Sequence, residues 1–167
     1  MRSLRVMLVL VVALGLAACG NKQPSKIRDY YGPAVTQVQV HKEARKIYLL
    51  HDQRVLKEYD MALGFAPTGH KQFEGDGKTP EGAYYINWKN PNSEYHLSLM
   101  VSYPNTSDRV YAATMNKSPG GQIFIHGGPK RPVTQRDWTA GCVAVSDAQI
   151  EEIYAMVNVG TPIYILP

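Results

Sequence analysis

A chain of 167 residues with 44% hydrophobic and 19% charged side chains is long enough to bury one sizeable core. Its formal charge of +4 rests on 18 basic against 14 acidic residues scattered along the chain, which excludes the clustered basic face of a nucleic-acid-binding protein. Only two cysteines are present, Cys19 and Cys142, too few for a disulfide scaffold.

The chain opens on a short basic stretch carrying Arg2 and Arg5, followed by an uncharged apolar run, Val6 to Leu16. That run is too short to span a bilayer comfortably and suits a signal peptide. It closes on "LAAC", Leu16 to Cys19, which resembles the bacterial lipobox, where the cysteine is acylated and becomes the first mature residue. Gly20 rather than aspartate follows, and in the sorting rule implied by that resemblance this favours the periplasmic face of the outer membrane over retention at the inner one. Residues 1–18 are therefore expected to be removed, leaving a charge nearer +2, with Cys19 lipidated and holding the protein to the membrane. Residues 19–34 are polar and broken by proline and glycine, the composition of a flexible tether reaching on the order of 20 Å. In that oxidising compartment Cys142 would have no intrachain partner and would stay a free thiol.

Beyond the tether the pattern is mostly strand. Thr36–Val40 alternates, Lys46–His51 is an apolar run, and Val55–Gly64 alternates again. A glycine-rich loop follows, Gly64–Gly82, and then strands are expected at Ala83–Trp88, Tyr95–Tyr103 and Gln122–His126. A short helix is expected after Pro104, from Asp108 to Met115. A second is capped by Ser146, with Gln149 placed for a capping box, and has Ile150, Ile153, Tyr154 and Val157 at helical spacing before Gly160. The chain finishes on a strand within Thr161–Pro167. Residues 35–167 thus read as one mainly β domain, a β-rich α+β fold with one or two helices laid against a sheet.

Near the end, "IFIHGG" brings His126 to a strand terminus, and sixteen residues later Cys142 follows Gly141, just upstream of a helix. Backbone N–H groups converging there would hold an anion, lower the thiol pKa and stabilise a tetrahedral intermediate. A histidine within reach is the usual activator of a thiol nucleophile. Alone, either residue is more often structural; the unpaired thiol, the glycines and the histidine together favour chemistry. A zinc site recruiting His51, His70 or His96 lacks the close ligand spacing that zinc sites show, so no metal is expected.

His126-Gly127, a loop, and Thr139-Ala140-Gly141-Cys142 resemble the signature of the L,D-transpeptidase catalytic domain, the YkuD-like family. "DGKTPEGAYYI" (Asp76–Ile86), "HLSLMVSYPN" (His96–Asn105) and the closing "GTPIYILP" fit the same family in the same order. The resemblance implies a β-rich sandwich or barrel acting on peptidoglycan stem peptides without metal or nucleotide cofactor. Cys142 would attack the carbonyl between the diamino acid at position three and D-alanine, and His126 would serve as base. Gly127 O would orient the imidazole, and the Gly141 and Cys142 amides would hold the oxyanion. Thr139, Trp138, Arg136 and Tyr103 would contact substrate, and a second stem peptide, a D-amino acid or a lipoprotein lysine would resolve the thioester. Many members carry arginine where this chain has Ala144; Lys130, Arg131 or Arg136 could supply a cation instead. Members without that arginine include hydrolases releasing a wall-bound lipoprotein, so a carboxypeptidase or amidase is the alternative. A non-catalytic peptidoglycan-binding lipoprotein is disfavoured by the retained Cys–His pair, and a thiol-redox protein by the absence of a resolving cysteine.

Overall fold

The computed structural model describes residues 25–167; Cys19 and the leader lie outside them. The strands are β1 (Gln37–His41), β2 (Lys46–His51), β3 (Arg54–Asp60), β4 (Gly82–Asn90), β5 (Ser98–Val101), β6 (Phe124–His126), β7 (Val143–Ala144) and β8 (Pro162–Leu166). Among the described residues there are two helices, α1 (Thr106–Thr114) and α2 (Asp147–Met156). All eight strands form one sheet in the order β3-β2-β1-β8-β4-β5-β6-β7, with β1/β8 and β6/β7 parallel and the other pairs antiparallel. This is the mainly β fold expected from the sequence.

Alternation decides which face is buried. Val38 and Val40 of β1, Ile47 and Leu49 of β2, and Ile163 and Ile165 of β8 point inward and are almost wholly excluded from solvent. Ile150 and Ile153 of α2 join the same core. That helix begins on the expected capping box, Ser146 with Gln149, but ends at Val157 rather than running to Gly160. Helix α1 buries only Asp108 and Ala112, and its own box, Asn105 with Asp108, holds its start. Asp108 also accepts from the Tyr84 hydroxyl at 3.1 Å and lies 3.1 Å from His70 Nε2.

Two expectations change in ways that build the site. The alternating stretch Val55–Gly64 does not form one strand. It leaves β2 at Asp60 and crosses to the opposite end of the sheet, where Ala62 bridges Ala144 and Gly64 bridges Thr139. Paired bonds, Ala62 N–H to Ala144 O at 2.8 Å and Ala144 N–H to Ala62 O at 2.9 Å, join the chain after β3 to β7 and curl the sheet toward a barrel. Residues 25–34, read as part of a free tether, run along the domain. There Lys26 Nζ donates to His96 O at 2.8 Å, Arg28 pairs with Glu151 at 2.5 Å, and Tyr30 packs against the core.

Candidate active site

Strand β6 carries His126 into the interior, 4% exposed. Its Nδ1 lies 2.7 Å from Gly127 O, and a carbonyl can only accept, so Nδ1 bears the proton and Nε2 keeps a free lone pair. Tyr95 lies tilted across the ring at 4.5 Å, and Trp138 meets it edge-on at 5.6 Å. Burial pushes the imidazole pKa down, against a smaller upward pull from the Gly127 bond, so the ring rests neutral. Only glycine fits at 127, because a Cβ there would come 2.4 Å from Asp147 Oδ1 and 2.7 Å from Tyr95 O.

The loop bringing Cys142 to this place is fastened at both flanks. Asp137 takes a forked contact from Arg45, with Nη2 at 2.8 Å, and a bond from Leu63 N–H at 3.0 Å. Thr139 N–H donates to Leu63 O and Phe65 N–H to Thr139 O. The buried Thr139 hydroxyl donates to Cys142 O at 2.7 Å and accepts from Gly141 N–H at 3.1 Å. Gly141 has φ +138°, and a Cβ would lie 2.7 Å from Lys78 O, so both turn and fit demand glycine.

The Cys142 thiol is free, accepts from Phe124 N–H at 3.4 Å and donates to Gln122 O at 3.5 Å. It and His126 line one cavity of about 280 Å³ with Tyr95, Gln122 and Phe124, but no hydrogen bond joins them in this resting arrangement. Proton transfer requires the thiol to leave Gln122 O for Nε2, directly or through one water.

Three site expectations are corrected. A two-residue strand, Val143–Ala144, separates Cys142 from α2, so the cysteine does not stand directly at that helix's start. Burial therefore dominates and pushes the thiol pKa up, with Phe124 N–H and Lys71 pulling less strongly the other way, and the resting pair is neutral thiol and neutral imidazole. The Gly141 N–H is engaged by the Thr139 hydroxyl, so of the two N–H groups expected to face an anion only that of Cys142 is without an acceptor among the described residues. Tyr103 is 3% exposed and its hydroxyl donates to Pro119 O at 2.8 Å, so it supports the 118–122 loop from beneath and lines neither of the two cavities at Cys142.

The other expected contacts divide. Trp138 reaches the imidazole, and Thr139 acts on the backbone of Cys142. Exposed Arg136 lines a separate cavity with Trp138, Gly128 and Ala144, while Lys130 and Arg131 are exposed. Sequence reading missed Tyr95, Gln122, Lys71 and the Arg45–Asp137 clamp. The signal for Gln122 was its neighbours Gly120 and Gly121, since it takes φ +55° to turn its carbonyl onto the thiol. Among the described residues no three His, Cys, Asp or Glu side chains are grouped to hold a metal. His51 bonds Ala34 O, while His70 faces Asp108 and His96 faces Glu151.

A β-rich sheet closed at one corner around a Cys–His cavity defines a class, and residues 36–165 match the model of the L,D-transpeptidase catalytic domain, YkuD. The chain belongs to that family. Among individual proteins it is 29% identical over 127 residues to YafK of Escherichia coli K12, named only as a candidate L,D-transpeptidase, covering 72% of this chain and 46% of YafK. The helical cell shape determining protein Pgp2 of Campylobacter jejuni superposes with a TM-score of 0.63 at 28% identity, over 90% of this chain and 53% of Pgp2. An L,D-transpeptidase of Mycobacterium smegmatis shares the fold, with TM-score 0.55, 17% identity and coverage of 80% and 59%. The chain thus spans about half the length of YafK and Pgp2.

Proposed function

We propose that this protein is a cysteine-dependent L,D-transpeptidase acting on peptidoglycan stem peptides through a thioacyl enzyme. The observation carrying this reading is the tautomer fixed by Gly127 O, which gives His126 a basic Nε2 in the same cavity as the free Cys142 thiol. Sγ attacks the carbonyl of the third residue, its proton passing to Nε2, and the Cys142 N–H meets the developing oxyanion. The C–N bond breaks as Nε2 returns that proton to the departing D-alanine nitrogen, leaving an Sγ–C thioester. An incoming amine then attacks the thioester and gives its proton to Nε2. The new amide forms as Sγ–C breaks and the thiol is restored, with no net loss of acyl bonds and no need of a nucleotide.

A second reading, hydrolysis by a carboxypeptidase or an amidase releasing a wall-bound lipoprotein, is favoured by one observation. Ala144 offers no cation, and Arg136, which lines the same cavity, is a loop side chain. A weaker hold on the incoming stem lets water compete for the thioester. Purified tetrapeptide muropeptides distinguish the outcomes by mass spectrometry. Cross-linked dimers or exchange of the terminal D-alanine are expected. Tripeptide and free D-alanine alone would assign a carboxypeptidase, and release of protein from sacculi without action on tetrapeptides an amidase.

The "LAAC" motif supports lipidation at Cys19 and attachment to the periplasmic face of the outer membrane. Multiple acyl chains hold stably where one binds marginally. Wild type is therefore expected in the membrane fraction after a salt wash and Cys19→Ser outside it or with an uncleaved leader; unmodified wild type in the soluble periplasm would remove the anchor.

A further inference from the structure

Tyr95, which lies across the His126 ring, belongs to an unusual turn. Leu97 N–H donates to Tyr95 O at 2.9 Å and closes a three-residue γ-turn, whose central residue, His96, takes φ +69°. This is the rare hand of the γ-turn, strained for a residue with a side chain, and it persists only where surrounding contacts hold it. Tyr95 O also accepts from Gly127 N–H at 3.0 Å, so the turn is bonded directly to the residue that fixes the His126 tautomer. Tyr95 is 37% exposed, which makes its position depend on the turn more than on packing.

Contacts from two distant parts of the chain hold His96. Lys26 Nζ donates to His96 O at 2.8 Å. On the other side His96 Nε2 meets Glu151 Oε1 of α2 at 2.8 Å, and Arg28 Nη2 donates to Glu151 Oε2 at 2.5 Å. Lys26 and Arg28 stand on the strap that precedes β1, which Tyr30 seats against the core. The Arg28 side chain is 49% exposed, and an ion pair so open to water adds little to stability. Its effect is on geometry: Arg28 fixes where Glu151 stands, and Glu151 fixes the His96 ring.

We infer that the strap is a latch on the active site: Lys26, Arg28 and Glu151 are positioning residues that, through His96, hold Tyr95 across the imidazole of His126. The segment ahead of the sheet thereby acts on the base of the reaction, a role that rests on the thioacyl reading above. The ionisable groups around that base are Tyr95 itself, Glu94 and Cys142 in the shared cavity, and Asp147, whose Oδ1 accepts from Gly128 N–H at 3.0 Å. Releasing the turn would leave these in place and admit water to the ring. Burial is what lowers the His126 pKa, so a wetter ring titrates higher, toward its ordinary 6.5.

Glu151→Ala and Arg28→Ala in the full chain test the latch, with Lys26→Met as the variant to read should Glu151→Ala misfold. The His126 titration is followed by NMR, its resonance identified by its absence from His126→Ala, and Tyr95→Ala sets the full size of the shift. Each latch variant is expected to raise the His126 pKa and to carry the acid limb of kcat/KM upward with it, at little change in melting temperature. On tetrapeptide muropeptides kcat should fall about tenfold with KM nearly unchanged, since a base slightly out of place slows the chemistry and not the binding. Arg28→Lys keeps the charge and is expected to restore both readouts. A His126 titration and kcat unchanged in the folded variants overturn the latch, as does a lowered melting temperature with an unmoved titration. Wild type inert on the peptides would bring down the thioacyl reading instead, and the NMR titration would still decide whether the strap holds Tyr95 over the ring.

Discussion

Cys142→Ala and His126→Ala are each expected to lower kcat/KM on tetrapeptide muropeptides by at least about 10⁴-fold, the scale on which a nucleophile or its base is lost. The two differ in what else they disturb. Cys142→Ala removes a side chain held by two long contacts, to Phe124 N–H and Gln122 O, and its melting temperature should stay near wild type. His126→Ala empties a buried site between Tyr95 and Trp138 and leaves Gly127 O without its donor, costing about 1–3 kcal/mol of stability. Its activity must therefore be read at a temperature where circular dichroism shows it folded. Folded Cys142→Ala with near-normal turnover would contradict the mechanism.

The second large effect is on pH. With the imidazole pKa held below its ordinary 6.5 and the thiol raised above its ordinary 9.0, both groups are neutral across the intervening range. kcat/KM should therefore hold a plateau there, falling about tenfold per unit on the acid side as Nε2 takes up a proton, and falling on the alkaline side only above the raised thiol pKa, where the proton passed to the leaving nitrogen is lost. Stability follows the same sign. Below about pH 6.5 the unfolded histidine binds a proton that the folded one resists, so stability is lost as pH falls through the folded pKa. Alkylation of Cys142 by iodoacetamide should accelerate with pH up to and beyond 9. A rate already flat below pH 7 would show a preformed thiolate–imidazolium pair instead.

Where hydrophobic period and local chemistry agreed, the fold was legible. Val38 and Val40 alternate inward, and Ser146 with Gln149 marks a helix start through a bond spanning three residues. What escaped depends on partners distant in sequence. The alternation of Val55–Gly64 continues unbroken across the point where the chain changes partner, from β2 to β7, so period alone could not locate the break. Strand β7 has two residues, too few for any period to register. Lys26, Arg28 and Tyr30 look like tether composition until His96, Glu151 and the core supply their partners.

The site divides along the same line. His126-Gly127 and Gly141-Cys142 were readable because the turn, the tautomer and the close approaches are local. Tyr103 was misplaced because its neighbour in space, Pro119, lies sixteen residues away. The depressed thiol pKa expected from a helix terminus failed for a local reason: β7 intervenes before α2, and burial then outweighs the two opposing influences. Lys71 and Tyr95 reach Cys142 and His126 across loops whose course only the folded sheet sets.

The claim that Cys142 is an acylated nucleophile is tested most directly by intact-mass spectrometry after exposure to a carbapenem, whose strained ring a thiol beside an oxyanion donor should open. The expected result is a single adduct, mapped by peptide digestion to Cys142 and absent from Cys142→Ala. A folded wild-type protein that gains no mass, or an adduct that persists in Cys142→Ala, would contradict it.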